Sequence, residues 1–126
     1  MAKILVIEDN QHNLQLARVV LEHAAHRVST AIDALVGLAL ARTEQPDLVL
    51  MDIQMPGMDG LAATRALRQD PLTAHMKVLA LTGLAMSGDE ERILAAGCDA
   101  YITKPYDYRA LLDKVAEMLG EDPPPR

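Results

Sequence analysis

The sequence predicts an α/β domain, a five-stranded parallel sheet with helices on both faces, and three observations predict it. Residues 4–7, 48–51 and 78–81 are short runs of mostly branched apolar side chains without polar alternation, the pattern of central strands buried on both faces. Segments with helical apolar spacing lie between them. Strand and helix then alternate five times along the chain, and parallel strands need crossover connections of one hand.

The elements follow in order. The first run, Ile-Leu-Val-Ile at 4–7, leads directly into Glu8 and Asp9. Leu14, Ala17, Val20, Leu21 and Ala24 then share one face of a helix. Residues 28–31 are a weaker strand candidate. Ile32, Leu35, Val36, Ala39 and Leu40 share one apolar face of a second helix, with Asp33 as its cap. The run at 48–51 ends in Asp52, and Asp59 caps the next helix. The run at 78–81 ends in Thr82. Ser87 followed by Glu90 reads as a capping box opening a helix towards Ala96, which Gly97 ends. A second weak strand, 100–103, runs into Lys104-Pro105. The last helix carries Leu111, Leu112, Val115, Met118 and Leu119 on one face, and Gly120 closes it. No repeat, low-complexity stretch or linker divides the chain, so residues 1–120 read as one domain and the Pro-rich 121–126 as a disordered tail.

Composition narrows the function classes. Hydrophobic content is 50% and charged content 24%, the balance of an ordinary globular domain. No apolar run approaches the ~20 residues of a membrane span, and the start lacks the pattern of an export signal. Cys98 is the single cysteine, which excludes an internal disulfide and a Cys-rich metal site and fits a reducing cytoplasm. The net charge of −6 comes without a basic cluster, which argues against nucleic-acid binding. The three aromatic residues are all tyrosine and form no stacking platform for single strands.

In open parallel sheets, ligands bind beyond the carboxyl ends of the strands. The residues just past those ends are Glu8-Asp9, Asp52, Thr82 and Thr103-Lys104-Pro105. Three acids, one hydroxyl and one lysine thus converge on one edge. Two carboxylates about 4 Å apart repel by roughly 4 kcal/mol at an effective dielectric near 20. A hard divalent cation and the Lys104 ammonium would relieve that repulsion, and oxygen ligands without His or Cys point to Mg²⁺. A carboxylate so placed is a plausible nucleophile towards phosphorus, with Lys104 and Thr82 in place to stabilise the phosphoryl oxygens.

At these residues the chain resembles the response-regulator receiver domains of two-component signalling, over about residues 3–119. The resemblance rests on Glu8-Asp9, on Asp52 within Leu-Val-Leu-Met-Asp-Ile-Gln-Met-Pro-Gly-Met-Asp-Gly at 48–60, on Thr82-Gly83 and on Lys104-Pro105. It implies a flavodoxin-like (CheY-like) sheet of strand order 2-1-3-4-5. It makes Asp52 the phosphoacceptor. Asp9, Asp52 and the Gln54 carbonyl become Mg²⁺ ligands, Glu8 acts through water, and Thr82 and Lys104 become phosphate contacts. The Lys104-Pro105 peptide would be cis, which proline permits. On phosphorylation Thr82 would move towards the phosphoryl group and Tyr101 would turn inward. The fourth helix, fifth strand and fifth helix would form the output face.

The resemblance further implies a phosphoryl donor that is a histidine kinase or a histidine phosphotransfer protein. The domain would catalyse its own phosphorylation and dephosphorylation without being an enzyme on a separate substrate. Gly83 keeps the site open, and apolar Leu84, with Gln54, implies slow dephosphorylation. Residues 88–101 resemble the stand-alone cell-division receivers of the DivK type, and also receivers of hybrid histidine kinases. The start at Met1 and the absence of an output segment favour a stand-alone regulator signalling through protein contacts, with an excised hybrid-kinase receiver as the alternative.

Other readings of the same residues are weaker. Asp52 alone could cap the turn before Pro56-Gly57, but not with four companions at strand ends. A phosphohydrolase working through an aspartyl-phosphate would place a second acid two residues on, where this chain has Gln54. The glycines at 83 and 88 have phosphate-loop spacing, yet Asp89-Glu90 stands where Lys-Ser/Thr is required. His12, His23, His26 and His75 read as surface residues, and Cys98 as a small packing residue.

Overall fold

The computed structural model describes residues 1–83 and 89–121. The chain forms five strands, three of them built mostly from branched apolar residues: β1 (Lys3–Ile7), β2 (Arg27–Ala31), β3 (Leu48–Asp52), β4 (Lys77–Thr82) and β5 (Ala100–Thr103). All pair in parallel, in the order β2-β1-β3-β4-β5, the order that the receiver resemblance implies. The helices between them are α1 (Gln11–His23), α2 (Ala34–Glu44), α3 (Gly60–Gln69), α4 (Asp89–Ala96) and α5 (Tyr108–Leu119).

Successive strand residues point to opposite faces, so each central strand feeds two cores. Leu5, Ile7, Val49, Met51, Val78 and Ala80 pack with residues of α2, α3 and α4. Ile4, Val6, Leu48, Leu50, Leu79 and Leu81 pack with residues of α1 and α5. Each fully buried Leu or Ile contributes about 1.5–3 kcal/mol relative to exposure. This double burial explains the unbroken apolar runs.

Four helices start on the same device. The side chains of Asn10, Asp33, Asp59 and Asp107 accept hydrogen bonds from Asn13, Val36, Ala62 and Ala110 backbone N–H groups at 2.7–3.0 Å, satisfying donors with no intrahelical partner. Gly97 and Gly120 end α4 and α5 with positive φ. Ser87, Leu84 and the tail at 122–126 lie outside the described residues. Among the described residues, no helix is long and apolar enough to cross a membrane.

Two sequence expectations change. The apolar face of the second helix points outward: Ile32, which precedes the helix, is 51% exposed, Leu35 69% and Val36 46%. Ala34, Gly37 and Ala41 face the sheet instead. A Cβ on Gly37 would stand 2.4 Å from Ile7 Cδ1, so the small residues are what let α2 approach closely. The helix is apolar nearly all round, and hydropathy alone does not choose its buried side. Among the histidines, His26 is half-buried, and its Nδ1 accepts a hydrogen bond from Ala2 N at 3.2 Å.

Gly60 locks the start of α3 against the end of β3. A Cβ there would meet Asp52 O at 2.2 Å and Ile53 Cα at 2.8 Å, both backbone atoms that cannot rotate away. Gly60→Ala is expected to cost about 2–3 kcal/mol or more in urea unfolding. An unchanged midpoint would show that the strand end yields more easily than this contact implies.

Candidate functional site

Parallel pairing brings four strand ends to one edge. Ile7 is in register with Met51, Asp52 with Leu81, and Thr82 with Thr103. The residue after β1 is therefore Glu8, beside Asp52. The residue after β5 is Lys104, whose N–H donates to Thr82 O at 2.7 Å. The Lys104-Pro105 peptide is cis. Glu8, Asp52 and Thr82 are buried, each at 1–2% exposure, while Asp9 is exposed.

The Lys104 ammonium reaches back across the edge. Its Nζ lies 2.9 Å from Glu8 Oε1 and 3.4 Å from Asp52 Oδ1. Asp52 Oδ1 also accepts from Gln54 N at 3.1 Å. The Gln54 side chain lies beside Gly83, where a Cβ would stand 3.1 Å from its Oε1.

Two buried carboxylates sharing one ammonium cannot both be comfortable as anions. Burial, and then the Glu8 carboxyl beside it, push Asp52 up to about 7, against the pull of Gln54 N–H and Lys104. Burial also works to raise Glu8, but the Asp52 and Lys104 hydrogen bonds outweigh it and hold Glu8 below its ordinary value. Burial disfavours the Lys104 ammonium, yet Glu8 and Asp52 together raise it above the ordinary lysine value. The neighbours thus favour the ionised forms of Lys104 and Glu8 and, near neutral pH, leave Asp52 close to its own pKa of about 7.

Oxygen atoms of Glu8, Asp9 and Asp52 lie within 4.8 Å of one another. Among the described residues, Glu8 Oε2 is buried without a hydrogen-bond partner. A buried orphan oxygen in an all-carboxylate cluster fits a hard divalent cation such as Mg²⁺. The donor set has no nitrogen or sulfur, so it does not fit a structural zinc site.

The structure thus brings Glu8, Asp9, Asp52 and Lys104 together and puts Thr82 at the adjoining strand end. Tyr101 stands further along the sheet on β5, half-buried, its hydroxyl donating to the Glu90 carboxylate on α4. Sequence reading missed a groove of about 570 Å³ beside Lys104, lined by Asn13, Leu16, Pro105, Tyr106 and Leu111 among others. The Asn13 side chain also helps hold Glu8 low. Its position three residues after the Asn10 cap was the available signal, since that places it on the first turn of α1 above the acids.

Comparison with known proteins gives a consistent picture. The model of the response regulator receiver domain matches residues 4–116. The polar-differentiation response regulator DivK of Brucella anthropi is 40% identical over 118 residues, covering 94% of this chain and 96% of that protein. The chemotaxis protein CheY4 of Vibrio cholerae superposes with a TM-score of 0.90 at 28% identity, over 94% of this chain and 99% of that one. The receiver domain of a Pseudomonas aeruginosa sensor histidine kinase, with a magnesium ion coordinated in its active-site cleft, matches at TM-score 0.87 and 31% identity, over 95% and 98% of the two chains.

The electrostatics make a stability prediction for the metal-free chain. Between the ordinary aspartate value of 3.8 and the folded value of about 7, the folded state holds the extra proton. Stability therefore falls as pH rises through that window. Asp52→Asn should flatten this slope and be more stable at pH 7.5 by about 1–3 kcal/mol, as read from urea unfolding in EDTA. Parallel pH profiles for the two proteins would remove Asp52 as the source.

Proposed function

The chain belongs to the response-regulator receiver family, and from that premise we propose that it is a phosphorylation switch with Asp52 as phosphoacceptor. The observation that carries this reading is the ammonium of Lys104, 2.9 Å from Glu8 and 3.4 Å from Asp52, beside a buried carboxylate oxygen without a hydrogen-bond partner among the described residues. The donor is a phosphohistidine of a histidine kinase or phosphotransfer protein.

In the transfer, an Asp52 carboxylate oxygen attacks phosphorus. The bond from phosphorus to the donor imidazole breaks, its electron pair leaving on the imidazole. Asp9, Asp52 and the Gln54 carbonyl would hold a Mg²⁺ ion, with Glu8 acting through water, and the ion would supply charge neutralisation at the phosphoryl oxygens. Lys104 is already poised: its partner charge moves from the Asp52 carboxylate to the phosphoryl group, and the ammonium is near enough to follow. The Thr82 hydroxyl, at the neighbouring strand end, donates to a phosphoryl oxygen. That demand draws Thr82 towards the site and lets Tyr101 turn inward. Gln54 stands where a hydrolase needs a second acid, and its amide cannot take a proton from water, so the aspartyl-phosphate persists.

The donor protein approaches over the groove between α1 and the segment after β5. The output face is the groove of about 450 Å³ lined by Leu94, Ala100, Tyr101, Ile102 and Lys114, which joins α4, β5 and α5.

Acetyl phosphate with Mg²⁺ should label the wild type to one phosphoryl group per chain and leave Asp52→Asn unlabelled. Lys104→Met should keep the same labelled residue while slowing transfer by about 10²-fold or more. Equal labelling of wild type and Asp52→Asn refutes the assignment.

A further inference from the structure

We propose that Arg68 is a positioning residue for Lys104: with Asp99 it fixes the register of β5 on β4, and so the place of the ammonium at the far end of β5.

β5 is an edge strand of four residues, none of them fully buried. A buried face specifies register strongly, and a short, half-exposed strand specifies it weakly. Register matters here, because a slip of one residue brings Thr103 or Pro105 to the place of Lys104. It also turns every side chain to the other face of the sheet.

The start of β5 supplies the specification. Asp99 N donates to Val78 O at 2.9 Å, and Asp99 Oδ2 accepts from Val78 N at 2.7 Å. One residue thus holds both backbone groups of Val78 that face β5. In a regular parallel ladder the Val78 N–H would bond the carbonyl two residues before Asp99, which is Gly97 O. Arg68 takes that carbonyl instead, its Nε and Nη2 donating at 2.9 and 2.7 Å. Nη2 also lies 2.9 Å from Asp99 Oδ2, which holds the carboxylate against Val78. A strand slipped by one would offer Val78 the side chain of Cys98 or Ala100, and neither has a carboxylate.

The same guanidinium reaches the start of β4. Nη1 donates to Ala74 O at 2.9 Å and to Met76 O, just before Lys77 opens that strand. The donors of a guanidinium are fixed in one plane, so its partners are fixed relative to one another. Arg68 therefore sets the starts of the two strands whose other ends are Thr82 and Lys104. The chain from Asp99 to Lys104 spans roughly 16 Å in extended form. At its end Lys104 N donates to Thr82 O at 2.7 Å, and Nζ stands 2.9 Å from Glu8 and 3.4 Å from Asp52. Misplacing a reacting group by about 1 Å can cost ~10²-fold in rate.

The role of Lys104 rests on the switch reading, whereas the register of β5 does not, so the two can fail separately. Amide exchange read by NMR on the whole chain, without phosphodonor, tests the register. The Lys104 N–H, bonded to Thr82 O, reports the far end of β5, and the Glu8 N–H, bonded to Ala31 O, is the reference on β1. Arg68→Met is expected to speed exchange at Lys104 about tenfold and leave Glu8 within about twofold. Arg68→Lys keeps the charge without the fork and should behave like Arg68→Met. With acetyl phosphate and Mg²⁺, Arg68→Met should slow labelling about tenfold in the wild-type background. In the Lys104→Met background the same change should slow it less than about twofold, because the group being positioned is already gone. Should Arg68→Met fail to fold, Asp99→Asn must give the same pattern in both measurements. Unchanged Lys104 exchange in these variants, or equal slowing of labelling in the two backgrounds, overturns the proposal. A wild type that takes no label removes the switch reading and leaves the register to the exchange result.

Discussion

Two carboxylates, Glu8 and Asp52, are buried side by side with one ammonium between them, and the arrangement of the strand ends follows from making that tolerable. Neither acid could stand there alone as an anion, because desolvating a charge costs several kcal/mol unless a partner offsets it. Lys104 offsets part of it, at 2.9 and 3.4 Å. The remainder shows in the raised Asp52, the lowered Glu8 and a Glu8 oxygen with no partner among the described residues. The site is built one positive charge short. A bound divalent cation would make up that shortfall.

The fold positions this imbalance because parallel strands all end at the same edge. Register places Glu8 beside Asp52 and Thr103 beside Thr82, so residues far apart in sequence become neighbours without any dedicated loop. Buried strands on both faces give that edge a stiff base, and Gly60 keeps the start of α3 against it.

Much of this was legible in the sequence, for identifiable reasons. The runs at 4–7, 48–51 and 78–81 read as doubly buried strands because short, mostly branched apolar runs without polar alternation suit strands covered on both faces. Glu8, Asp9, Asp52, Thr82 and Lys104 could be grouped because strand ends in a parallel sheet share an edge. The outward face of α2 was not legible, since Leu35 and Val36 look like core while Gly37 and Ala34, which pack on the sheet, look like nothing in particular. Tight helix–sheet approach selects small residues, and hydropathy does not record closeness. Arg68 was equally silent. Besides the Asp99 carboxylate, Arg68 reaches the backbone carbonyls of Ala74, Met76 and Gly97, and a carbonyl carries no sequence signal. The groove beside Asn13 and Tyr106 exists only once α1 and the segment after β5 are placed together.

The central claim is that the charge-deficient edge makes Asp52 the residue that carries phosphorus. Borohydride reduction of the phosphorylated chain, followed by peptide mass mapping, tests it at single-residue resolution, because an acyl phosphate is reduced to an alcohol and the modified aspartate becomes homoserine. The account predicts homoserine at position 52 and at no other acid. Homoserine at Asp9 or elsewhere, or phosphorus that resists reduction, would contradict it.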